Sequence, residues 1–143
     1  MIKVGILGVG HLGEIHLKLI SKSNLFTLAG FYDNNQERAT LISENYNVIS
    51  YNSYDDLCND IDAVIICTPT LNHYETAKFF LSHNKHVFIE KPITTNLEQA
   101  NKLIDLKNKN NLIGQVGHVE RFNGAFMEVE NILNPMFIES HRL

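Results

Sequence analysis

The chain has 143 residues, 44% of them hydrophobic, and a formal charge of −4. That length supports one domain with a substantial core, and an acidic balance without a basic face argues against nucleic acid as a partner. No apolar run approaches the ~20 residues of a membrane span. Met1 lies almost on the first apolar run, leaving no room for a signal peptide, and Cys58, Cys67 and the scattered histidines match no metal-ligand spacing. The expected setting is a reducing cytoplasm, with no metal.

In chain order, Ile2 to Leu7 reads as a strand that enters a Gly-x-Gly-x-x-Gly turn at Gly8, Gly10 and Gly13, with His11 and Leu12 inside it. A helix follows, with Leu12, Ile15, Leu19 and Ile20 at helical spacing. A second strand, Phe26 to Tyr32, ends at Asp33. Each part has a physical role in holding a dinucleotide. Gly8 permits the tight turn, Gly10 lets a pyrophosphate approach the backbone, and Gly13 lets the helix pack close to the strand. The helix N-terminus offers N–H groups to the phosphates, and Asp33 would accept hydrogen bonds from the ribose hydroxyls. Asn34, Asn35 and Gln36 follow Asp33, with no cation before Arg38, which is expected to point to solvent. A 2′-phosphate would therefore meet an uncompensated carboxylate, so NAD is expected over NADP.

Residues 36–45 read as a helix and Asn47-Val48-Ile49 as a short third strand. Residues 53–58 form a short helix capped by Ser53. Ala63 to Cys67 is a strand buried on both faces, with Cys67 as a small core residue rather than a reactive thiol. Residues 71–82 form an amphipathic helix through Leu71, Tyr74, Ala77, Phe80 and Leu81. His86 to Ile89 is a fifth strand. The helix 96–108 has Asn96 as N-cap and Gln99 at the capping-box position. Leu112 to Val116 is a sixth strand, and 119–133 a last helix with Phe122, Phe126, Val129 and Leu133 inward. This alternation specifies an α/β, doubly wound parallel Rossmann sheet of order 3-2-1-4-5-6, with ligands outside the carboxyl ends of the strands. Function is therefore expected in loops 8–13, 33–35, 68–73, 90–92 and 117–123.

Three of those loops carry further chemistry. Thr68, Pro69, Thr70 and His73 form a proline turn that caps a helix and also lies beside the pyrophosphate and nicotinamide ribose. In Glu90-Lys91-Pro92, a lysine at the end of a buried strand is expected to be partly desolvated, which suits it to general acid–base work on a hydroxyl. Glu90 would hydrogen-bond the nicotinamide ribose. The alternative is a solvated ion pair at a strand end. His118 and Arg121 can face the nicotinamide or a substrate anion, or else serve as a structural histidine and a helix-start ion-pair residue.

With Gly8-Val9-Gly10-His11-Leu12-Gly13, Thr68-Pro69-Thr70 and Glu90-Lys91-Pro92 in this order, the chain resembles the Gfo/Idh/MocA family of oxidoreductases. The resemblance implies an NAD-dependent dehydrogenase acting on a hydroxyl of a sugar, cyclitol or nucleotide sugar, with Lys91 as the catalytic residue and the Lys91–Pro92 peptide often cis. The Gly117–Asn123 segment looks most like relatives acting on UDP-N-acetylated hexoses. Family members run to more than twice this length. Their second α/β domain binds substrate, forms a homo-oligomer interface and supplies a histidine that works with the lysine. The resemblance thus divides the chain into a cofactor domain, 1–134, and a segment, 135–143, that starts the next domain. A chain of this extent is expected to bind NAD without turning over a sugar. The competing reading is a non-catalytic NAD(H)-binding sensor or regulatory module.

Overall fold

Short apolar runs separated by helix-length stretches fold here into strands and helices around a parallel sheet. The computed structural model describes residues 1–129, 136, 137, 139 and 141. Strands β1 (Ile2–Leu7), β2 (Phe26–Tyr32), β3 (Ala63–Ile66), β4 (His86–Glu90) and β5 (Gly114–Gly117) pair in the order β2-β1-β3-β4-β5, all parallel. Helices α1 (His11–Ser21) and α2 (Gln36–Tyr46) pack on one face. Helices α3 (Tyr54–Asp60), α4 (Thr70–Ser82) and α5 (Leu97–Lys109) pack on the other. Strand side chains alternate between the two layers. Val4, Ile6, Phe31 and Ile65 meet Leu17 and Ile42 on the first face, while Leu7, Val64 and Ile66 meet Leu57, Phe80 and Leu103 on the second. Burying a side chain such as Phe31 or Phe80 contributes about 1.5–3 kcal/mol, and both are wholly buried. The chain leaves β1 for β2 on one side and returns to β3 on the other. The carboxyl ends of β1 and β3 are therefore the point where the connections diverge and a crevice opens.

The fold is the expected α/β Rossmann-like sheet, but it has five strands rather than six. The strand expected at 47–49 is reduced to a single bridge between Phe31 and Ser50, held by Phe31 N–H donating to Ile49 O (3.0 Å) and Tyr51 N–H donating to Phe31 O (2.8 Å). The cause lies in β2. Its register against β1 shifts between Val4 and Gly5, and Gly30 has φ +154°, where a Cβ would stand 2.5 Å from Ile49 O. This bulged, bent edge meets the incoming segment at one residue only. Without that strand, the other five keep the relative order read from the sequence.

Two helices also differ from their sequence patterns. In α1 the buried residues are Gly13 and Leu17, whereas Leu12, Ile15 and Leu19 are exposed. A Cβ at Gly13 would collide with Gly8 O, so Gly13 and Leu17, not Leu12 or Leu19, face the sheet. The helix expected over 119–133 is broken. A 3₁₀ turn, Val119–Phe122, is followed by α6 (Gly124–Val129), with Asn123 extended between them and its Oδ1 accepting from Ala125 N–H at 3.0 Å. Val119, Phe122 and Phe126 are exposed rather than inward. At α5, Asn96 caps as expected by accepting from Gln99 N–H (2.9 Å), but Gln99 Oε1 takes the Thr95 hydroxyl (2.9 Å) instead of completing the capping box. Leu133, the side chain of Val129 and the division between 134 and 135 lie outside the described residues.

Candidate functional site

The glycine turn is built by three different constraints. Gly8 has φ +86°, donates to Tyr32 O at 2.8 Å, and would bring a Cβ within 3.1 Å of the Cys67 backbone. Gly13 sits against Gly8 O. Gly10 is different, because a Cβ there would meet nothing within 4 Å. Gly10 is also the N-cap of α1, and no side chain caps that helix. The first-turn N–H groups have no acceptor within the helix, and Gly10, His11 and Leu12 border an open cleft. A phosphate fits there with both hydrogen bonds and the helix dipole in its favour.

Asp33 is anchored beside this turn. Its Oδ2 accepts from Val9 N–H (2.7 Å) and its Oδ1 from Asn35 N–H (2.8 Å). Each oxygen keeps a lone pair for a ligand hydroxyl. Arg38 does not point to solvent as expected. Its Nε donates to Val9 O (2.9 Å), and its Nη2 pairs with Glu14. Glu14 is a hub: Lys18 above all, then Tyr46 and Arg38, hold its carboxyl down to about 2. Arg38 is thus tied to Glu14, which it shares with Lys18, and its Nε bond fixes the Val9 carbonyl.

These elements border a cleft of about 700 Å³. Of the residues expected from the sequence, Gly8, Gly10, His11, Leu12, Asp33, Thr68 and Pro69 line it. Leu71 and Asn72, in the expected 68–73 loop, line it as well, and so do Tyr32, Tyr54 and Thr76, which nothing in the spacing marks. Cys67 also reaches the wall, and burial pushes its thiol up to about 12, with the Glu90 charge adding to the effect. It is therefore no thiolate nucleophile. The Thr68 hydroxyl is buried at this wall without a hydrogen-bond partner. An open cradle at a helix N-terminus, an anchored carboxylate and an orphaned hydroxyl on one cleft fit a dinucleotide.

The other expected residues are arranged differently. Gly13 lies behind the turn and Thr70 begins α4. His73 does not face the cleft. It is 1% exposed, with Nδ1 at 2.8 Å from Pro92 O and Nε2 at 2.8 Å from Thr68 O. Glu90 Oε1 pairs with His16 Nε2 at 2.8 Å, Oε2 accepts from Lys91 N–H at 3.3 Å, and the absence of a side chain at Gly117 makes room for the carboxylate. His16 was missed by the sequence reading. Its signal was its place three residues after Gly13, on the face that must turn inward. Lys91 is exposed at the end of β4, without the partial desolvation expected for it, and the Lys91–Pro92 peptide is cis. His118 and Arg121 are exposed in the turn after β5, where Arg121 N–H donates to His118 O (3.0 Å). Among the described residues, no group of histidines, cysteines and carboxylates could hold a metal ion, and no helix is long and apolar enough to cross a membrane.

A family model described as "Oxidoreductase family, NAD-binding Rossmann fold" matches residues 2–118. The UDP-N-acetylglucosamine 3-dehydrogenase of Acidithiobacillus ferrooxidans is 33% identical over 99% of this chain and 45% of its own length. Its solved structure superposes with a TM-score of 0.83 at 34% identity, over 90% of this chain and 42% of that one. The scyllo-inositol dehydrogenase of Lactobacillus casei, solved with NAD(H) and scyllo-inositol, gives a TM-score of 0.82 at 30% identity, over 91% and 40%. A biliverdin reductase of Synechocystis, solved with biliverdin and NADP+, gives 0.85 at 25% identity, over 90% and 42%. The chain therefore spans less than half the length of these relatives, and its fold is shared by proteins holding either dinucleotide.

Proposed function

The chain belongs to the Gfo/Idh/MocA family of oxidoreductases, and from that premise we propose that it is the NAD-binding part of a dehydrogenase acting on a hydroxyl of a sugar, cyclitol or nucleotide sugar. The observation that carries this reading is the cleft in which the open space over Gly10 lies beside the anchored Asp33 carboxylate. Gly10 and the first turn of α1 take the pyrophosphate, and Asp33 takes the adenosine ribose. NAD is the preferred form. A 2′-phosphate would face Asp33 while Arg38 is held by Glu14 and Val9 O. An uncompensated like-charge contact of this kind costs roughly 1 kcal/mol or more. The similarity to a UDP-N-acetylglucosamine 3-dehydrogenase favours a UDP-N-acetylhexosamine among the substrate candidates.

The bound nicotinamide supplies the hydride acceptor. The chain's own residues bind it, orient it and handle the proton. Lys91, exposed at the end of β4, is placed to hold or move the proton of the substrate hydroxyl. Glu90, fixed by His16, stands beside it for the nicotinamide ribose. The surface that holds the substrate belongs to the part of the relatives that this chain does not span, so the chain alone binds NAD and turns over no sugar. Calorimetric titration of the chain with NAD+ and NADP+ tests the reading. NAD+ binds more tightly if it is correct. Equal or tighter NADP+ binding removes the cofactor preference, and binding of neither removes the site.

A further inference from the structure

His73 is the largest polar side chain in the core, and the hydride reaction gives it no role. It sits in the first turn of α4, buried to 1% exposure. One ring nitrogen is 2.8 Å from the Thr68 carbonyl at the end of β3, and the other is 2.8 Å from the Pro92 carbonyl just past Lys91. A peptide carbonyl can only accept. A neutral imidazole has one N–H, so it would satisfy one of these carbonyls and press a lone pair against the other. Both distances lie at the short end for N–H···O. Two donated bonds require a proton on each nitrogen. Burial and the positive end of the α4 dipole oppose a charged ring. Two charge-assisted bonds to backbone carbonyls act in the opposite sense.

We propose that His73 is a positioning residue whose imidazole, protonated on both nitrogens, clamps the Thr68 and Pro92 carbonyls and so fixes the Thr68–Thr70 turn relative to Lys91. The two loops come from different strands, and no other side chain bonds to both among the described residues. The Thr68 turn lines the cleft, and Pro92 is covalently next to the lysine. The clamp rests on the proposed cofactor reading for its purpose, but its protonation state does not.

The test uses the 143-residue chain labelled with ¹⁵N-histidine. Ring ¹H–¹⁵N correlation spectra at neutral pH, assigned by His73→Phe and, if that variant does not fold, by His73→Gln, should show two protonated ring nitrogens for His73. Both ring signals should shift when NAD+ is added. The folded variant should bind NAD+ roughly tenfold more weakly or worse, the effect of losing the two bonds that hold the loops together. A ring with a single proton overturns the proposal, as does NAD+ affinity unchanged in a folded variant, or a ring indifferent to bound NAD+. If the wild-type chain fails to bind NAD+ at all, the proposed function falls, while the ring spectrum still decides whether the clamp exists.

Discussion

The two rims of the cleft are built on different plans. Around β1 and β2, each group is held by its neighbours. Asp33 is anchored by Val9 and Asn35, Arg38 by Val9 and Glu14, and Glu14 by Lys18 and Tyr46. Around β4 and β5, Glu90 is held by His16, but Lys91, His118 and Arg121 stand exposed. The first rim is held in place by contacts within the chain itself. The second presents reactive groups on an open surface and depends on whatever covers it. Binding needs only fixed donors and acceptors, whereas proton transfer also needs a positioned substrate. That difference is why binding and turnover are expected to separate in this chain.

The largest effect should come from the open rim. In a protein that contains this chain together with the remainder typical of its relatives, Lys91→Ala should lower turnover by a factor of roughly 10² to 10⁴. Its NAD affinity should stay nearly unchanged. Steady-state kinetics with a parallel cofactor titration would show this, and normal turnover would make Lys91 a solvated charge at a strand end rather than the catalyst. On the closed rim, Gly13→Val drives a side chain into Gly8 O and should remove about 3 kcal/mol or more of folding stability, measurable by urea denaturation. Gly10→Val enters open space. It should leave the fold intact yet weaken NAD binding at least tenfold, about 1.4 kcal/mol. If these two glycines respond alike, the distinction between a packing glycine and a phosphate glycine is wrong.

Smaller effects sharpen the same contrast. Asp33→Ser removes the carboxylate proposed to face the ribose, so the ratio of NADP+ to NAD+ dissociation constants should fall by roughly fivefold, about 1 kcal/mol. An unchanged ratio would mean that Asp33 does not set the preference. The smallest effect concerns Glu14, whose carboxyl is lowered from 4.5 to about 2, chiefly by Lys18. A carboxylate with a lowered folded-state value stabilises fully above its ordinary value and loses that contribution as pH falls through the lowered one. Thermal stability should therefore decline from about pH 4.5 toward about pH 2. Glu14→Gln should flatten that decline only slightly, since the side chain is partly exposed. A full-sized decline in the variant would assign the acid sensitivity to other groups.

The local sequence determined most of the closed rim. Gly8, Gly10, Gly13 and Asp33 lie within a single strand–turn–helix–strand unit whose spacing marks them, although Gly8 also packs against the Cys67 backbone. The buried runs β1, β3 and β4 were legible for the same reason, because continuous apolar stretches bounded by turns have few other uses. Tertiary contact decided the rest. Whether Asn47–Ile49 became a strand depended on the bend at Gly30, a feature of the neighbouring strand. Which face of α1 turned inward depended on how closely Gly13 approached Gly8 O, and the leucine stripe carried no trace of that contact. Arg38, His16 and His73 found partners 24, 74 and 19 residues away, at Glu14, Glu90 and Pro92. Charged and aromatic side chains reach partners set by the packing of whole elements, so their roles follow from which strand ends the sheet brings side by side and not from spacing along the chain.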